Sequence, residues 1–353
     1  MLRGLISIRA DTPAEHIRAF AYDETCRGIR ISPGLRVEQI EAVDDLLASR
    51  PNMTVAVNSA DAFPALCKLR NARWIQIFFS KGDDPIENSK LLPALRLPGL
   101  RGLRLCAYWL HDLALLHDLP PELESLSLDE ETDRPKVGLD SLHRFRHLRR
   151  LTLSGPCKGL EALAELKDLR ELSLQHVGAG TYAFLAPLKA IELLRLGGGS
   201  LADISILGAL PELRLLSLFD MKQLCDASAL SDCDALQWLE LDTMPRLKGM
   251  PSFAKARSLL VLQIESLRGL VDFSGVSSAP ALELFSFVSA SKTAARPPDL
   301  LPVLKAPSLR HVKAGFGSTR LNDEFARLAS QYGKAWNAPD LDTYRARVAL
   351  PSP

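Results

Sequence analysis

Leucine or a close substitute recurs along this chain at the first, fourth and sixth positions of one short phrase, Leu-x-x-Leu-x-Leu, with polar or variable residues between. The phrase begins at Leu100, Leu123, Leu148, Leu169, Ile191, Leu213, Leu236, Leu259, Leu282 and Leu309, in steps of 21 to 27 residues. A strand sends successive side chains to opposite faces, so each phrase predicts a short strand with its leucines inward. Recurrence at this period predicts a stack of strand-plus-return units rather than independent domains. The pattern is clearest over 213–281, where three consecutive 23-residue units also hold Met221, Met244 and Leu267 at position nine and Leu224, Leu247 and Leu270 at position twelve. The core of residues 103–105, 126–128, 151–153, 172–174, 194–196, 216–218, 239–241 and 262–264 is therefore expected in parallel strands.

Upstream the phrase weakens. Strand-like stretches fall at 5–8, 28–31, 53–57 and 74–79, separated by helix-like ones at 37–49 and 62–71. In the first of these helices Val37, Ile40, Val43, Leu46 and Leu47 share a face, with Glu38, Glu41, Asp44 and Asp45 between them. Residues 1–99 read as degenerate amino-terminal repeats with helical returns or as a small α/β cap, and 100–315 as the array. Residues 316–336 read as a capping helix, opened by Asn322 as N-cap and carrying Phe325, Leu328 and Ala329 on one side. Residues 337–353, with Pro339, Pro351 and Pro353, read as a loose tail.

Residues 100–315 resemble the intracellular leucine-rich repeats of bacterial proteins and of plant disease-resistance receptors, whose unit runs Leu-x-x-Leu-x-Leu-x-x-(Cys or Asn)-x-x-Leu. The resemblance implies an α/β solenoid with a curved parallel sheet on its concave face, mixed helix and loop returns on its convex face, and a role in protein recognition. One departure is systematic. Position nine is Tyr108, Glu131, Pro156, Val177, Gly199, Met221, Met244, Leu267, Ala290 and Gly317, never asparagine. The usual side-chain ladder of that column cannot form, so irregular turns are expected.

Composition narrows the function classes. Lys plus Arg is 43 against 42 for Asp plus Glu, which gives no general field for nucleic acid or an anionic membrane. Charges interrupt every apolar run before the roughly 18 to 20 residues of a membrane helix, and Arg9 and Asp11 break the start before an export signal can form. Cys26, Cys67, Cys106, Cys157, Cys225 and Cys233 are scattered without a Cys-x-x-Cys pair, and extracellular members of this class carry cysteine clusters at their ends. A cytoplasmic, bacterial protein is the expectation.

No catalytic, cofactor or metal site emerges. His143 and His147 would share one helix face, but no further ligand is spaced with them and four arginines surround the pair. The run 197–199 and the run 315–319 lack the lysine and spacing of a phosphate loop and read as turns. Cys225 and Cys233 read as small buried fillers of one return.

The binding surface follows from strand alternation. Just before the second leucine of each strand, the outward column holds Leu193, Leu215, Trp238, Val261 and Leu284 in succession. These form an apolar stripe roughly 20 Å long at a strand spacing of about 4.8 Å. Phe219 lies beside it, and Glu240, Asp242 and Glu265 lie at its far end. An exposed apolar patch rimmed by charge marks an interaction site, with Trp238 as anchor; the competing reading is that an ascending loop or the tail covers it. Trp74, Gln76 and Phe78 make a second patch. The expected function is a non-enzymatic scaffold that binds a partner protein on its concave face. The rival readings are an inhibitor or immunity protein that occludes a toxin or enzyme, and a secreted effector.

Overall fold

A computed structural model describes residues 4–80, 83, 86–107, 114–129, 137–199, 202–289, 293–335 and 341–348. The chain divides into two compact units, Met1–Leu169 and Arg170–Pro353. In the amino-terminal unit the described strands of the main sheet are Leu5–Ile8, Gly28–Ile31, Thr54–Val57, Trp74–Phe79, Gly102–Ala107, Ser125–Asp129 and Arg150–Ser154. Each pairs in parallel with the next in chain order. The degenerate phrases and the regular ones thus run in one ladder, since Trp74 pairs with Gly102 and Ile75 with Leu103.

The helix Val37–Ser49 buries Ile40, Val43, Leu46 and Leu47. Its one buried polar side chain has a defined task. Gln39 is 0% exposed, its Nε2 donates to the carbonyls of Arg9, Ala10 and Thr12, and its Oε1 accepts from the Arg36 N–H. Arg50, just past the carboxy-terminal end of the helix, does the same, donating to the carbonyls of Phe20, Asp23 and Cys26. Burying these loop carbonyls without donors would cost about 1 to 3 kcal/mol each.

The carboxy-terminal unit repeats the plan with Glu171–Gln175, Leu193–Gly199, Leu215–Met221, Trp238–Asp242, Val261–Glu265, Leu284–Val288 and His311–Gly315, again parallel and in chain order. The register aligns Leu194, Leu216, Leu239, Leu262 and Phe285 in one row, and all five are fully buried. The helix Thr319–Gln331 buries Phe325 and Ala329. Phe316 joins it to the core, its ring centroid 5.8 Å from both Phe287 and Phe325. Asn322 is not the cap: the helix starts three residues earlier, and Asn322 Oδ1 accepts from the Phe316 N–H at 2.8 Å.

The turns are more regular than the missing asparagine column led us to expect. His176, Asp220, Thr243 and Ser266, each at position eight, take left-handed backbone with φ of 52° to 56°, and Gly198 does so at 67°. This turns the chain out of the strand and aims the position-eight N–H of His176, Thr243 and Ser266 at a carbonyl of the next strand, 2.8 to 3.0 Å away. Position nine then points inward, so Val177, Met221, Met244 and Leu267 are buried and form an apolar column in place of a polar ladder. Tyr108, Glu131 and Ala290 lie outside the described residues. The returns are short 3-10 helices such as Ser205–Ala209, Ser228–Asp232 and Ser274–Ser278. An aspartate two residues ahead opens each one: Asp203, Asp226 and Asp272 accept from the backbone N–H of Ser205, Ser228 and Ser274. Hydrogen bonds from those serines hold the carboxyls of Asp203 and Asp272 below the usual carboxylate range.

Candidate functional site

The face of the carboxy-terminal sheet opposite its returns carries the stripe expected from the sequence. Leu193, Leu215, Trp238, Val261 and Leu284 stand in register on neighbouring strands. Their expected exposure is corrected, because none is more than 5% exposed. Within the stretch read as a loose tail, Leu341–Arg347 is a helix; the rest of that stretch, Val348 apart, lies outside the described residues. Tyr344 and Val348 pack into the stripe with Leu341 beside them. The spacing of these three residues puts them on one helical face, and the stripe gives that face somewhere to go.

Polar contacts fix the helix. Arg347 makes two hydrogen bonds to Glu283, at 2.7 and 2.9 Å, and Arg345 lies over the Trp238 ring, 5.9 Å from its centroid. The Arg347 contact, aided by Arg310 and Tyr344, holds the Glu283 carboxyl below its ordinary range. Burial, with Glu283 alongside, pushes the Tyr344 hydroxyl up. Trp238 directs its indole N–H to Glu240 Oε1 at 2.8 Å. At the rim the picture is more open: Phe219, Glu240 and Asp242 are half-buried and Glu265 is exposed.

The second patch belongs to the amino-terminal unit and remains accessible. Phe78 is 48% exposed, and Trp74 and Gln76 are half-buried. A Cβ added at Gly102 would stand 2.1 Å from the Trp74 ring, so that ring lies flat across the next strand because the residue there is glycine. Arg150 closes over it, 5.2 Å from the ring centroid. Two residues further along the strand, Gln76 Oε1 is enclosed with no hydrogen-bond donor among the described residues. Phe219 uses the same device, since a Cβ at Gly197 would meet its ring at 1.9 Å. A glycine in register beside an aromatic was the available signal for both, and sequence reasoning passed over it.

The other candidates resolve as structure. His143 ends up in the 3-10 helix Asp140–Arg144, which stops before His147, so the two imidazoles do not share a helix face. Arg144 donates to the carbonyls of Leu116 and His117 rather than standing free for an anion. Residues 197–199 complete the strand Leu193–Gly199 instead of following it. Cys233 is buried, with its thiol pushed up to about 12 by burial and by Asp232 and Asp234; Cys225, expected to be buried too, is exposed. Among the described residues no three His, Cys, Asp or Glu side chains gather as a metal site, and no helix is long and apolar enough to cross a membrane.

The phrase, its register and its buried rows define the architecture. The fold is a leucine-rich repeat array. No family model matches the chain, and no curated protein does. Among solved structures it is similar to an internalin C2 of Listeria monocytogenes, at 19% identity over 72% of this chain and 90% of that one, with a TM-score of 0.43. It is similar also to an internalin (InlF) of the same species, at 15% identity over 85% and 93%, TM-score 0.49. A leucine-rich repeat protein of Leptospira interrogans gives 16% over 74% and 75%, TM-score 0.46.

Proposed function

We propose that this chain is a non-enzymatic protein-recognition module that binds a partner protein on the open face of its repeat sheet, with Trp74 and Phe78 as the accessible anchors. The observation that carries this reading is the exposure of Phe78 on the same strand as a Trp74 ring already held flat between Gly102 and Arg150. A pre-positioned aromatic loses little freedom on binding, and tryptophan is the side chain most enriched among residues that dominate interface energy. A reducing, cytoplasmic setting suits it, as Cys26, Cys67, Cys225 and Cys233 stand as thiols.

The test uses the full chain as bait in extract of the source organism, wild type against a Trp74→Ala, Phe78→Ala double variant. The expected result is a specific partner retained by the wild type and lost by the variant. Once that partner is purified, Trp74→Ala alone should weaken binding by about 2 kcal/mol with nearly unchanged melting. If the folded variant keeps every partner of the wild type, recognition lies elsewhere and the reading fails.

A further inference from the structure

The helix Leu341–Arg347 and the stripe beneath it are unequal in a telling way. The stripe is five apolar side chains on five consecutive strands, all on the face that the repeat core does not use. Its cover is a seven-residue helix. A helix of that length is not stable in water by itself, so it is ordered by the surface it rests on. The rows that hold the array together, Leu216 and Leu239 among them, lie on the other face and are buried without its help.

We propose that this stripe is a docking surface for a short amphipathic helix, that the chain's own carboxy-terminal helix occupies it in the resting state, and that a partner helix of the same chemistry displaces it. The chemistry is read from the resident: an apolar face with an aromatic residue at its centre, as Tyr344 and Val348 provide, and an arginine placed to pair with Glu283, as Arg347 does. This inference stands apart from the reading of Trp74 and Phe78, which concerns the other unit, and the two fail separately.

The probe is a fluorescently labelled synthetic peptide of residues 337–353, added to the full-length protein. In the wild type the resident helix competes in cis, so binding should be weak. In a Tyr344→Asp variant, whose own helix no longer seats, the peptide should bind at least about tenfold more tightly, since apparent affinity scales with the open fraction. A peptide carrying Arg347→Glu should bind that variant poorly and recover when the variant also carries Glu283→Arg. Equal binding to wild type and folded variant, or none to either, overturns the proposal.

Hydrogen exchange on the wild type decides independently, including the case in which Tyr344→Asp fails to fold. The amides of 341–348 should exchange about a hundredfold or more faster than those of Leu215–Met221, because the helix opens without the array. If they are protected as well as the strand, the helix is a fixed part of the core and the proposal is wrong.

Discussion

Trp74 and Trp238 occupy the same column of the repeat, just before the second leucine-type position of their strands, yet Trp74 remains half-buried and reachable while Trp238 is 1% exposed. The difference begins with their neighbours along that column. Trp74 has Gly102 and then Ser125 beside it, so its ring lies down across small residues and the surface stays open. Trp238 stands between Leu215 and Val261, which leave no such gap and continue the apolar surface. A stripe of that size left in water is unfavourable by about 1.5 to 3 kcal/mol for each large side chain, and the carboxy-terminal helix covers it. Column position therefore sets which way a side chain points; the residues on either side of it, and the far end of the chain, set whether solvent reaches it.

Leu239 follows Trp238 directly but faces the array, 0% exposed. Leu239→Asp places an unpaired charge there and should cost several kcal/mol, enough to unfold the carboxy-terminal unit. Trp238→Ala should cost clearly less, because much of what it removes is the seat of one short helix rather than a row of the core. Melting curves of the two variants measure this, and equal losses would mean that the covered face is as much core as the other.

In the amino-terminal unit the corresponding test is Gly102→Val. The added side chain cannot coexist with the Trp74 ring where it now lies, so the ring must lift off the sheet and release Arg150. Overpacking at a half-open site should destabilise by about 1 kcal/mol, while partner binding through Trp74 should fall by more than that. Binding that survives with Trp74 displaced would show that its flat placement is incidental.

These contrasts also mark where sequence reasoning succeeds. The strands were legible in both units, even at 5–8 and 28–31 where the phrase is degenerate, because alternation is a local property and each strand carries its own. The turns were legible only in part: the absent asparagine was visible, but the left-handed residue at position eight leaves no residue-type signature when His176, Asp220, Thr243 and Ser266 all adopt it. The covering helix was the hardest. Leu341, Tyr344 and Val348 have helical spacing, but the stretch is too short to be a helix by itself, and its order comes from a stripe some sixty residues or more away in sequence. Five apolar residues in an outward column were read as an exposed patch, with cover by a loop or the tail as the competing reading. Whether the cover comes from the same chain is a property of the folded molecule.

The smallest effect separates the two faces by pH, since the carboxy-terminal one is covered by a helix that the Arg347–Glu283 ion pair holds. Glu283 is held below the ordinary carboxylate range when Arg347 is docked and moves back towards it when the helix leaves. A carboxyl whose value is depressed in the closed state stabilises that state above its ordinary pKa, and the contribution is lost as pH falls through the depressed value. Tyr344, pushed up on docking, acts at the other end: its contribution is present below the ordinary tyrosine pKa and is lost as pH rises through the raised one. Docking should therefore be flat through neutral pH and weaken on acidification. Arg347 is 44% exposed, so the latch is worth no more than about 1 kcal/mol. Proteolytic cleavage or exchange within 341–348, followed from pH 7 towards 3, should rise as Glu283 protonates, while the exposure of Phe78 stays constant. In Glu283→Gln that acid-dependent rise should disappear, leaving the helix equally loose at both ends of the range. An acid release that persists unchanged in Glu283→Gln would assign the latch to other groups and leave the Arg347 pair a bystander.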